Sequence, residues 1–145
     1  MCGDIPSRAS KGGLIAVIRP YEELSRNNNM GEFRILFNNN SDGSNHTQAT
    51  FDASDEATLK TLQNHPFLSL QIEKSGDLST PLPSEPLHSF KLNAAQQTSM
   101  EFELPSKLDL GVSNLGIVGR LVTVLSAGSS NGMGHVLGRG VVGWN

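Results

Sequence analysis

The pattern most suggestive of catalysis lies in the Gly/Ser-rich residues 128–132, which read GSSNG and match G-x-S-x-G. In serine hydrolases this motif needs a strand before the serine, a sharp turn, and a helix after it whose N–H groups stabilise the oxyanion. Glycines follow Ser130 at once, and no acidic residue occurs after Asp109 to complete a triad in the expected order. We therefore interpret residues 128–132 as a flexible loop. The alternative interpretation is a small serine hydrolase that uses Ser130, His135 and Asp109.

A second glycine pattern, residues 138–143, reads GRGVVG and matches the dinucleotide fingerprint G-x-G-x-x-G. That fingerprint needs a helix after the glycines and an acidic residue about 20 positions on. Neither follows here, so the sequence predicts no nucleotide cofactor, and we expect no other cofactor.

A calcium-loop pattern begins at Asn38 and continues through Asn40, Asp42 and Gly43. Calcium requires several carboxylate oxygens and a bidentate glutamate at position twelve, where this chain has Ala49. Because Asp-Gly is a favoured hairpin dipeptide, a tight turn explains the pattern better. We predict no metal, with Asn38, Asn40 and Asp42 as the alternative ligands.

The four histidines offer no zinc motif either. No pair has H-x-x-x-H spacing, and the single cysteine, Cys2, is too isolated to contribute a cluster. The histidines are His46, His65, His88 and His135. We interpret them as unrelated to one another.

Two groups of acidic residues could act as acid and base. Asp52, Asp55 and Glu56 form a small cluster, but helix capping explains them more simply. Glu101 and Glu103 share one face of a predicted strand, and paired carboxylates of this kind can hydrolyse glycosidic bonds. On an outer strand they are more often the side that faces water.

Two triplets, beginning at Asn39 and Asn45, match the acceptor pattern for N-glycosylation. They matter only if the chain enters a secretory pathway. In an Asn-rich stretch such triplets arise easily by chance.

The remaining candidates are aromatic. Trp144 is the single tryptophan, and tryptophan is enriched at the centres of protein interfaces. It could anchor a partner or pack into the core of its own chain. Together with Tyr21, it could instead stack on a sugar.

Short extended segments must position these residues. Alternating apolar and polar residues predict strands, since alternation places one face on a core and the other in water. The predicted strands are 14–18, 32–37, 46–51, 68–73, 89–92, 100–104, 117–125 and 135–144. One helix is predicted to begin at an N-cap on Ser54 and to end near Asn64, because Pro66 disfavours helix at the residue before it.

The sequence thus predicts a mainly β protein: a single-domain antiparallel β-sandwich or jelly roll with about eight short strands and one short helix. We expect one domain over 1–145, with 1–12 as a flexible N-terminal segment and 77–87 as a Pro-rich connection. The net charge of −3 and the scattered basic residues disfavour nucleic acid as a partner. The longest apolar run, 14–18, is far shorter than the roughly 20 residues of a membrane span, so we expect a soluble chain.

With no motif that survives its structural context, the composition favours a non-catalytic structural or assembly module. Its concrete form would be a capsid, decoration or similar assembly protein that binds other protein chains and associates with itself. Trp144 and Tyr21 are the predicted interface residues. The alternatives are a carbohydrate or small polar ligand binding module and the hydrolase described above.

Overall fold

The computed structural model shows a chain of short strands joined around one core. The residues it describes are 13–20, 31–39, 46–65, 67–74, 86–93, 100–105, 107–111, 116–127 and 135–144. The strands are β1 (Leu14–Pro20), β2 (Phe33–Asn39), β3 (Thr47–Asp52), β4 (Phe67–Glu73), β5 (Pro86–Leu92), β6 (Glu101–Glu103), β7 (Leu121–Ala127) and β8 (His135–Trp144). The helix α1 (Glu56–Gln63) lies between β3 and β4. No helical segment within these ranges has the length and apolar character needed to cross a membrane.

All eight strands belong to one antiparallel sheet with the order β5-β4-β7-β8-β1-β2-β3-β6. The sheet curls into a nearly closed barrel, so the inward-facing side chains of every strand share one core. The predicted fold class, a mainly β protein of the sandwich or jelly-roll kind with eight strands and one helix, is confirmed.

Alternation along each strand produces this core. In β1 the inward residues Leu14, Ala16 and Ile18 are buried, and the residues between them are partly or fully exposed. Burying a side chain of leucine or phenylalanine size contributes about 1.5–3 kcal/mol. Aromatic rings join the strands at one side of the barrel: Phe51 stacks on Phe33, with ring centroids 6.1 Å apart, and meets Phe102 edge to face at 5.5 Å.

The helix begins one residue later than its sequence predicts. Its N-cap is Asp55, whose side-chain oxygen accepts a hydrogen bond from the Ala57 N–H at 3.1 Å; Ser54 is exposed and precedes the cap. An ionised carboxylate is favoured over a hydroxyl here because it also interacts with the positive end of the helix dipole. The predicted end is confirmed, since Asn64 is the C-cap.

Strand β7 also begins later than predicted, at Leu121. The four preceding residues form a turn in which Gly119 has a φ of 83°, a conformation that an extended strand cannot include. Arg120 fixes this turn by donating to the carbonyl oxygens of Gly116 and Lys74, each at 2.6 Å. The bounds of several other strands differ by one or two residues, and β5 begins at Pro86, inside the stretch predicted as a Pro-rich connection. Residues 1–12 and 75–85 lie outside the described ranges.

Two glycines of β8 allow its backbone to lie unusually close to the backbone of its neighbour β1. A Cβ on Gly138 would lie 2.7 Å from the Arg19 carbonyl oxygen, and one on Gly140 would overlap the Val17 carbonyl oxygen. The inward space that their missing side chains leave is filled by Ile18 of β1. Glycine is therefore required at both positions by close backbone approach.

We expect Gly140→Ala to lower the free energy of unfolding by about 3 kcal/mol, because the new methyl group must push β8 away from β1. The matched control is Gly143→Ala in the same strand, where an added Cβ meets nothing within 4 Å. Urea denaturation monitored by circular dichroism measures both. Equal midpoints for the two variants would contradict the close approach.

Candidate functional site

The largest exposed apolar side chains of the described residues lie on β1 and β8. Val17 and Val141 are each 39% exposed, and Trp144 is 62% exposed. The register that pairs Ala16 with Val142 and Arg19 with Arg139 places Val17 directly beside Val141. We call the surface formed by Val17, Val141 and the exposed end of β8 at Trp144 the β1–β8 face. Because Trp144 pairs with the buried Leu14, alternation gives its side chain the orientation opposite to that of the two valines. Apolar residues gathered on neighbouring strands in this way mark an interaction site more often than scattered ones do.

Charged pairs line the β1 side of this face. Arg34, which lies opposite Val17 in the β1–β2 register, binds Asp52 with 2.6 Å between guanidinium nitrogen and carboxylate oxygen. Arg19 lies 3.6 Å from Glu32, and both of these side chains are mostly exposed. Exposed pairs of this kind contribute roughly 0–1 kcal/mol to stability. Their arrangement, an apolar centre with a polar margin, is typical of a protein interface.

A buried polar group adjoins the face on its other side. Thr123 of β7 lies opposite Arg139 of β8 and Gln71 of β4, out of phase with the core residues of those strands, yet its side chain is fully buried. Glu73, two residues beyond Gln71, is 2% exposed. Burial raises the pKa of the Glu73 carboxyl, and the positive charge of Arg139 opposes that rise only in part.

The burial of Glu73 predicts a pH-dependent stability. A carboxyl whose pKa is raised on folding binds its proton more tightly in the native state than in the unfolded state. The free energy of unfolding therefore falls as the pH rises above 4.5, the ordinary pKa of a glutamate carboxyl. We expect the unfolding midpoint of Glu73→Gln, which cannot ionise, to fall less between pH 4.5 and 7 than that of the wild type. The control is Glu101→Gln, which removes an exposed carboxylate and keeps the wild-type profile. Parallel profiles for wild type and Glu73→Gln would show that ionisation of Glu73 does not oppose folding.

At one end of the barrel, Thr47 holds together three segments of chain. Its hydroxyl donates a hydrogen bond to the Asn39 side-chain oxygen and accepts one from the Leu108 N–H at 2.7 Å. The Asn39 amide nitrogen in turn donates to the Leu108 carbonyl oxygen at 3.0 Å. The first predicted glycosylation acceptor therefore uses its amide nitrogen, the atom that would carry a glycan, inside the fold. Asn45 lies outside the described residues.

The hydrolase candidates are not brought together among the described residues. Ser130 lies outside the described ranges, and of His135 only the backbone, at the start of β8, is described. Asp109 is exposed and forms an isolated bridge with Gly116. The catalytic alternative therefore stays a prediction.

The metal candidates are described only in part. Asn38 lies in β2, and Asn40 and Asp42 lie outside the described residues. Where the chain is described, no three histidine, cysteine or acidic side chains gather closely enough to hold a metal ion.

Three of the histidines have separate surroundings. His46 Nδ1 lies 3.2 Å from the Leu104 carbonyl oxygen, and its Nε2 lies 3.8 Å from Glu103. His88 stacks on Phe90 with 6.0 Å between ring centroids, and burial, aided by the charge of Arg120, lowers its pKa. Burial likewise lowers the pKa of His65.

Of the two predicted interface residues, Trp144 is exposed and outside the core, and Tyr21 lies outside the described residues. In comparisons with known proteins, no family model matches this chain and no curated protein shows significant similarity to it. Its geometry therefore carries the functional argument.

Sequence reasoning missed most of this site. Val17 belongs to a continuous apolar run, which gave no signal that one of its members faces water. Glu73 follows an alternating pattern that predicts exposure, but the register of β4 against β5 shifts between Ile72 and Glu73, and both residues are buried. The one available signal was the combination of glycines with valines in β8, which indicated close backbone approach without showing which side chains remain exposed.

Proposed function

We propose that the chain is a non-catalytic structural module that assembles with other protein chains through the β1–β8 face. The observation that carries the proposal is that the most exposed large apolar side chains of the described residues all lie on the paired strands β1 and β8: Trp144 at 62%, and Val17 and Val141 at 39% each. Replacing a hot-spot tryptophan at the centre of an interface with alanine weakens the binding free energy by about 2 kcal/mol or more. A capsid or decoration protein is the concrete form of such a module.

The edge strands of the sheet, β5 and β6, are protected against pairing with a strand of another chain. This favours a partner that binds the outer face of the sheet over one that extends the sheet at its edge. Met100 and Leu104 bond to β3 across the ends of β6. Because alternate residues of an antiparallel strand bond to the same neighbour, Glu101 and Glu103 turn their backbone groups away from β3. Both side chains are exposed and charged, and charge on so short an edge strand opposes pairing with another strand.

The other edge strand has comparable protection. β5 begins with Pro86, which has no N–H to donate, and carries the exposed Lys91 near its end. Lysine and proline are common in edge strands that must not pair. With both edges protected, the apolar face is the better place for a specific contact.

The surroundings of Trp144 favour a protein partner over a sugar. Sugar-binding surfaces usually offer more than one aromatic ring. Five of the six phenylalanines are buried, and the sixth, the partly exposed Phe67, is covered by the Lys91 ammonium group, 4.4 Å from the ring centre. Among the described residues, Trp144 therefore has no equally exposed second ring with which to stack on a sugar, and this favours a protein partner.

We expect the wild-type chain to associate at micromolar concentration and Trp144→Ala to weaken that association about tenfold or more, because the anchor side chain is lost. Sedimentation velocity and light scattering measure the association. Phe67→Ala, which truncates an aromatic residue of the same sheet outside the β1–β8 face, is the matched control and should associate as the wild type does. A chain that stays monomeric and binds no protein would overturn the proposal.

A further inference from the structure

The edge strand β6 and one residue on each side of it, residues 100–104, form a short segment at the end of the sheet, which we call the β6 segment. Among the described strands, β6 is the shortest and pairs with β3 alone. Backbone bonds close both ends of the segment: the Phe51 N–H donates to the Met100 carbonyl oxygen at 2.9 Å, and the Leu104 N–H donates to the Thr47 carbonyl oxygen at 2.8 Å. Its buried side chains are Met100, Phe102 and Leu104.

The backbone is strained where the β6 segment begins. Met100 has a φ of 56°, in the left-handed region that a residue with a Cβ occupies only at a cost in free energy. Its side chain is buried, so packing holds the residue in this conformation. The strain offsets part of the stabilisation that burial provides. With strain at one end and a neighbouring strand on one side, we expect the β6 segment to open locally more often than the central strands.

At the other end of the β6 segment, the His46 ring faces two acceptors. Its Nδ1 lies 3.2 Å from the Leu104 carbonyl oxygen, and its Nε2 lies 3.8 Å from a Glu103 carboxylate oxygen. A neutral imidazole has one N–H, so it can direct a donor to one of these oxygens and must direct a lone pair toward the other. The protonated ring directs an N–H to both and places a positive charge beside the carboxylate. The arrangement therefore suits the protonated ring best.

His46 is the group whose charge changes at this corner between pH 8 and pH 5.5. Carboxylates and lysine ammonium groups ordinarily keep their charges over this range, whereas histidine gains one. β2 contributes the uncharged Asn39, opposite Thr47, and Asp42 of the preceding residues lies outside the described ranges. The charged residues of β6 and of the chain that follows it are Glu101, Glu103, Lys107 and Asp109.

We propose that His46 is a pH-sensitive switch that holds the β6 segment on β3 more tightly as the pH falls. The protonated ring stabilises the closed segment through Leu104 and Glu103, and one of these two contacts is lost when the ring loses its proton as the pH rises. Opening of the segment would leave the backbone groups of β3 unpaired, and an unpaired edge can pair with a strand of another chain. Acidification therefore makes that edge less available. This inference does not depend on the assembly function proposed above.

Hydrogen exchange of single backbone amides, followed by NMR, measures how often the β6 segment opens. The informative amide is the Leu104 N–H, which bonds to Thr47. We expect its protection at pH 5.5 to be about threefold lower in His46→Gln than in the wild type, which is the effect of losing one exposed ion pair. At pH 8 the two proteins should be equally protected, because both side chains are then uncharged. Amides that pair β7 with β8 should not differ between them.

Two matched controls identify the partners of the switch. His65→Gln removes a histidine that lies after α1 and should leave the protection of the Leu104 N–H unchanged at both pH values. Glu103→Gln removes the carboxylate beside the ring and should reproduce the loss at pH 5.5. Glu101→Gln, an exposed carboxylate of the same strand, should keep the wild-type protection.

Three results would overturn the switch. His46→Gln could leave protection at pH 5.5 unchanged, or lower it equally at both pH values, and either result would show that the charge of the ring does not hold the segment. Equal losses in Glu101→Gln and Glu103→Gln would show that the general negative charge of β6 acts in place of the specific contact. None of these results bears on the assembly function, because none of the variants changes the β1–β8 face.

Discussion

The close approach of β8 to β1 is the contact on which the rest of the barrel depends. Among the described strands, β8 is the longest, and in the strand order it joins the β5-β4-β7 group to the β1-β2-β3-β6 group. At Gly138 and Gly140 its backbone lies so near the carbonyls of β1 that no larger residue fits. The same approach sets the register that places Val141 beside Val17. One steric requirement therefore closes the core and creates the exposed face on the other side of the sheet.

Much of the fold could be predicted from alternation, because burying one side of a strand forces polar and apolar residues to take turns. The errors occur where a local contact outweighs that pattern. Ser54 is a reasonable N-cap, yet Asp55 takes the position because its carboxylate also interacts with the helix dipole. Residues 117–120 have strand-like composition, but Gly119 and the hydrogen bonds of Arg120 hold them in a turn.

The site was less predictable than the fold, because exposure and burial on the outer surface depend on neighbours distant in sequence. Glu73 and Glu101 both end or begin alternating stretches, yet one is buried beside Arg139 and the other faces water.

The hydrogen bonds around Thr47 have a consequence for the timing of modification during biosynthesis. Once Thr47 and Leu108 engage the Asn39 side chain, a transferase would have to break those bonds to reach its nitrogen. In a cell that exports this chain, sugar attachment at Asn39 would therefore compete with closure of the barrel end. The fraction of chains that carry the modification would then fall as residues 39, 47 and 108 come together faster, and it would report that folding rate.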